Sequence, residues 1–101
     1  MAKNKDEIVW EIRNFVANSR ESNDRHNWYV GITANPEQRL FDEHNVERVR
    51  SDRWVCFEAV NEWAARDAEA ELLDLGYDGG AGGGDHPIYV YAFLKVVGTK
   101  R

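Results

Sequence analysis

Three short aromatic and β-branched runs, at residues 28–32, 54–60 and 88–94, alternate with three segments whose apolar residues recur every three or four positions. The first pattern suits an extended chain and the second a helix. With 101 residues there is room for one core, because independent domains rarely fall below about 50 residues. The expected fold is therefore a single α+β domain over residues 1–101, of element order α-β-α-β-α-β, with a three-stranded sheet flanked by helices.

Spacing and end signals place the helices. Ile8, Val9, Ile12, Phe15 and Val16 share one face of a helix over residues 7–18. A polar loop at 19–27 follows, and then the strand at 28–32. Asn35 and Pro36 supply a cap and a first position for a helix over 36–44. A charged connection at 45–53 leads to the second strand. Ala64, Ala65, Ala68, Leu72, Leu73 and Leu75 then fit a third helix, opened near Asn61 and stopped by Gly76. Residues 76–85 hold six of the eight glycines and read as an irregular connector. The adjacent glycines could form an anion nest, and alanine at Gly82 and Gly83 would test that role. They lack the Gly-Lys-Ser/Thr ending of a phosphate loop and lead into a strand.

Composition narrows the classes of function. No apolar stretch approaches the roughly 20 residues that cross a bilayer, and the polar opening Lys3-Asn4-Lys5-Asp6 is no signal core. A cytoplasmic protein with no membrane partner is expected. Cys56 is the single cysteine and sits in an apolar run, so it reads as a core thiol. The net charge of -5 works against broad phosphate binding and requires any nucleic-acid site to be a local positive cleft.

The run Tyr29-Val30-Gly31-Ile32-Thr33-Ala34-Asn35-Pro36-Glu37-Gln38-Arg39-Leu40 resembles the second half of the GIY-YIG nuclease signature. In that family a Tyr-(Ile/Val)-Gly strand turns into a helix whose arginine stands ten residues after the tyrosine, as Arg39 does after Tyr29. His44 is also similar to a family histidine, one place later than in many members. In the third helix, Ala65, Glu69, Leu72 and Leu73 resemble the family's glutamate pattern, which makes Glu69 the implied metal ligand and Glu71 its competitor. The family's Gly-Ile-Tyr strand is missing from its usual place before Tyr29. Residues 87–91 resemble it instead, with Pro87 standing for the glycine and Ile88-Tyr89 for Ile-Tyr. We expect Tyr89 or Tyr91, which share one strand face, to pair beside Tyr29. The family's later asparagine has no counterpart.

The resemblance implies a GIY-YIG-like fold and metal-dependent hydrolysis of DNA or RNA. Tyr89, Tyr91 or Tyr29 would act as base or position water, Arg39 would hold the phosphate, and Glu69 would bind Mg²⁺ or Mn²⁺. Gly31 and Trp28 would contact substrate, with Trp28 stacking on a base, and His44 would line the site. A tyrosine of ordinary pKa near 10 must be depressed by cations to act as base at neutral pH. Two other functions remain open: an inactive module on the same scaffold that binds a nucleotide or a protein, and an interaction domain using its tryptophan-rich helices.

Overall fold

The computed structural model describes residues 1–80, 84 and 86–101. Helix α1, Lys5–Ala17, begins at a capping box in which Asn4 Oδ1 accepts from the Glu7 N–H at 2.9 Å and the Glu7 carboxylate accepts from the Asn4 N–H at 3.0 Å. That cap starts the helix at Lys5, two residues before the expected start at residue 7. A 3₁₀ turn, Arg25–Asn27, leads into strand β1, Trp28–Thr33. Asn35 Oδ1 accepts from the Gln38 N–H at 3.2 Å, and the chain then winds as a π-helix over Gln38–Glu43. Strand β2, Trp54–Glu58, and helix α2, Glu62–Asp74, follow. Asn61 caps α2 by accepting from the Ala64 N–H at 2.8 Å.

Helix α2 ends in a Schellman motif. Gly76 takes a φ of 108°, and the N–H groups of Gly76 and Tyr77 bond back to the carbonyls of Leu73 and Leu72 at 3.0 and 3.2 Å. The reversal aims the chain along β1, where Asp78–Gly79 forms a two-residue strand, β3, pairing parallel with Tyr29 and Val30. Strand β4 is Tyr89–Leu94.

The domain is α+β, and its sheet has four strands in the order β2-β4-β1-β3 rather than the expected three. The added strand lies inside the segment that its glycines mark as a loop. Backbone pairing there depends on the turn after α2, which side-chain pattern does not encode. Gly82 and Gly83 lie outside the described residues. Strand β4 is antiparallel to both neighbours, setting Gly31 opposite Tyr91 and Tyr29 opposite Phe93. The last strand therefore does lie beside Tyr29.

Strand alternation sends side chains to two faces. On one, Trp28, Val30, Ile32, Val90, Ala92 and Leu94 form the main core with Ile8, Ile12 and Val16 of α1 and Ala65, Ala68 and Leu72 of α2. On the other, Tyr29, Tyr91 and Phe93 pack with Leu40 of the π-helix and with Val46. No described helix is long and apolar enough to cross a membrane.

Candidate functional site

The second face carries the polar groups. Gly31 is fixed by a close approach across the sheet, because a Cβ there would overlap the Tyr91 phenol. The ring lies over β1 and carries its hydroxyl to the π-helix. The Tyr91 oxygen receives the Arg39 Nε–H at 3.4 Å and stands 2.8 Å from His44 Nε2. His44 Nδ1 stands 2.6 Å from the carbonyl of Lys100. A carbonyl only accepts, so Nδ1 carries the hydrogen. Burial holds the His44 pKa below its ordinary value, against the pull of the Lys100 carbonyl, and the ring is neutral at pH 7. Nε2 is then a bare lone pair, and the Tyr91 O–H is the donor. The result is one directed chain of hydrogen bonds, Arg39 to Tyr91 to His44 to Lys100.

The π-helix makes this chain possible. In an α-helix, side chains three or four apart meet. Arg39 and His44 are five apart, and the His44 N–H bonds the Arg39 carbonyl at 2.9 Å in the i→i−5 pattern of a π turn. The extra residue is absorbed, and both side chains reach Tyr91. Arg39 also donates from Nη1 to Glu43 at 2.8 Å.

Tyr29 stacks on Phe93 with ring centroids 5.1 Å apart and lies 4.9 Å from the His44 ring. Its hydroxyl points toward Gly80. Burial raises the Tyr29 pKa, Arg39 opposes that rise, and Asp78 and Glu69 add to it. Burial likewise pushes Tyr91 up to about 12 despite Arg39. The depression required of a tyrosine base is therefore absent. Desolvation outweighs the nearby cations.

Glu69 projects from α2, half-buried, and burial raises its pKa while Arg66 and Arg39 oppose the shift. Among the described residues it has no hydrogen bond or ion pair. Glu71 is tied to Lys5 of α1 at 2.6 Å and so is committed to the helix packing. A half-buried carboxylate of this kind fits a Mg²⁺ ion, which commonly takes one or two protein carboxylates and fills its other positions with water and phosphate. The described residues contain no group of three or more His, Cys, Asp or Glu placed to hold a metal.

The structure thus brings Tyr91, Arg39 and His44 into contact, with Tyr29 against His44 and Glu69 near enough to act on both tyrosines electrostatically. Tyr89 shares their strand face and sits opposite Thr33, two pairs beyond the Gly31 pair. Trp28 is a correction to the expected stacking role. It is 0 % exposed on the opposite face, edge-on to Phe15, with its indole N–H donated to the Ser22 carbonyl at 3.0 Å. Trp10 and Trp63 lie on the outer faces of α1 and α2, 63 % and 66 % exposed. Cys56, expected in the core, is only partly buried against the second cluster, and burial raises its thiol to about 12. Sequence reasoning missed Glu43 and Lys100. Glu43 is visible as an i+4 partner of Arg39, whereas Lys100 acts through its main chain and leaves no residue signal.

Comparison with protein-family models, with curated proteins and with solved structures finds no match to this chain.

Proposed function

We propose that this chain is a divergent GIY-YIG-type nuclease that hydrolyses phosphodiester bonds in DNA or RNA. The observation that carries the reading is the hydrogen-bond chain Arg39–Tyr91–His44, built on Gly31. The central strand β4 stands beside the Tyr29 strand, where the resemblance requires a tyrosine-bearing partner, and Tyr91 rather than Tyr89 meets Arg39. The π turn accommodates the histidine's displacement by one position.

The chemistry follows from the acceptor at the end of this chain. With a pKa near 12, Tyr91 is a neutral phenol, so it works by handing its proton to His44 Nε2 as it takes one from the attacking water. Water oxygen bonds to phosphorus, the ester oxygen leaves, and a solvent proton completes the leaving alcohol. Arg39 holds its Tyr91 contact at a long 3.4 Å, and turning toward a phosphate frees the Tyr91 oxygen for the water. There its charge offsets that of the transition state. Mg²⁺ or Mn²⁺ held by Glu69 would supply Lewis-acid polarisation of the phosphate.

A second reading has its own support. Tyr91 is 1 % exposed, Arg39 is already paired with Glu43, and the chain is acidic, all of which suit a module that binds a nucleotide or protein without cleaving it. Incubation with single- and double-stranded DNA and RNA in Mg²⁺ or Mn²⁺ separates the two. The nuclease reading expects wild-type cleavage that Arg39→Ala lowers roughly 10²–10³-fold. Thermal stabilisation by nucleotides without cleavage supports the module, and cleavage undiminished in Arg39→Ala removes the proposed mechanism.

A further inference from the structure

We propose that the segment after β4, residues 98–101, is a positioning element whose main chain selects the tautomer of His44 and so the direction in which the Tyr91 proton points. The segment docks on the residues that follow the π-helix. The Lys100 N–H donates to the His44 carbonyl at 2.7 Å while the Lys100 carbonyl accepts from His44 Nδ1 at 2.6 Å. Asn45 Nδ2 donates to the Gly98 carbonyl at 2.9 Å. A turn closed by Thr99, whose Oγ1 accepts from the Val96 N–H at 3.2 Å and donates to the Val96 carbonyl at 2.9 Å, holds the segment in register. Arg101 Nε reaches Asp78 Oδ2 at 3.2 Å, anchoring the far end on β3.

Reciprocal bonding to one residue's carbonyl and ring is what gives the clamp its effect. A carbonyl on Nδ1 permits only the Nδ1–H form of a neutral ring. Removing that carbonyl releases the ring to the Nε2–H form that free histidine favours in water. Nε2 would then donate to the Tyr91 oxygen, as Arg39 Nε already does. The Tyr91 proton would lose its acceptor. Between the segment and the chain beneath it, Asn45, Val46, Val96, Val97, Gly98 and Thr99 line a cleft of about 260 Å³. The contact thus leaves open space beside its hydrogen bonds.

The inference rests on the nuclease reading only in giving the Tyr91 proton a task; the tautomer is measurable without any cleavage. Long-range ¹H–¹⁵N spectra of the full chain identify which His44 nitrogen bears hydrogen. The expected result is Nδ1–H in the wild type and a majority of Nε2–H after deletion of residues 98–101. Where the deletion fails to fold, Asn45→Gly carries the test, since it removes the bond to Gly98 while tolerating the φ of 57° at that position. That variant is expected to mix the two forms. An Nε2–H wild type, or an unaltered Nδ1–H signature in the folded deletion or in Asn45→Gly, overturns the proposal. In a cleaving protein the deletion is also expected to lower kcat roughly 10²-fold with KM unchanged. A chain that cuts nothing but shows the tautomer switch upholds the clamp and loses only the nuclease.

Discussion

The two faces of one sheet are built from alternate residues of the same strands, yet they hold opposite chemistries. Trp28, Val30 and Ile32 of β1 enter a core closed by two α-helices, in which, among the described residues, Tyr77 is the one buried side chain that titrates. Their neighbours Tyr29, Gly31 and Thr33 face the π-helix, where His44 and Arg39 meet Tyr91. A shift of one residue separates packing from chemistry. Stability and the candidate activity are therefore expected to respond to different substitutions on adjacent positions.

The largest effect belongs to the dry face. Trp28→Ala is expected to cost about 3–5 kcal/mol in urea unfolding, because it empties a fully buried indole site and orphans the Ser22 carbonyl. A loss below about 1 kcal/mol would mean that this face does not carry the stability. On the other face, Arg39→Ala is expected to lower any cleavage by roughly 10²–10³-fold, the usual size for one lost electrostatic contact in a transition state. Its unfolding midpoint is expected to stay near wild type, since the partly exposed Glu43 pair contributes little. A large stability loss with Arg39→Ala would merge the two faces into one structural unit.

How far the sequence revealed each face differs for physical reasons. The helices of the dry face were legible because apolar spacing and the end signals Asn61 and Gly76 are local. Strand β3 was not, since Asp78 and Gly79 pair only because a Schellman turn brings their backbone alongside β1. The spacing of Tyr29, Gly31 and Arg39 picked out the second face, and the choice between Tyr89 and Tyr91 needed the register across β1 and β4. Trp28 misled because a tryptophan next to a site tyrosine is, on a strand, one residue out of phase with it. Lys100 was invisible because the peptide group, common to every residue, does the bonding.

Two smaller changes probe the joint between the faces. Gly31→Ala puts a methyl into the Tyr91 ring, and overpacking of this kind is expected to cost about 1–3 kcal/mol. The accompanying sign would be a changed Tyr91 environment in ultraviolet difference spectra. Unaltered stability and spectra would show that the ring is free to move off β1. His44 gives a pH signature instead. Its folded pKa lies below the unfolded value, so on acidification the unfolded chain binds the proton first. Stability is full above about pH 6.5 and falls as pH drops through that value toward the folded pKa, with a slope of at most about 1.4 kcal/mol per pH unit. His44→Gln keeps a donor for Lys100 and an acceptor for Tyr91 but cannot titrate. Equal acid slopes in the two proteins would remove His44 as the buried neutral base.

Glu69 yields the smallest effect on stability and the sharpest contrast, because here stability and function are expected to move in opposite directions. Its folded pKa is raised by burial, so the fold favours the protonated carboxyl, and that contribution is present below the unfolded pKa and lost as pH rises through the folded one. At pH 7 the ionised group is a net cost that no described ion pair offsets. Glu69→Gln removes the charge while keeping the shape, and the unfolding temperature is expected to rise by a few degrees. Solvent screening at a half-exposed carboxyl holds the gain below about 1 kcal/mol. The same change is expected to erase Mg²⁺-dependent stabilisation and cleavage, since an amide is a poor substitute for a carboxylate on a hard cation. The difference in stability between the two proteins is expected to shrink as pH falls below the Glu69 pKa. A Glu69→Gln protein that is less stable than wild type at pH 7 would show the carboxylate to be a structural partner, and would return the whole second face to packing.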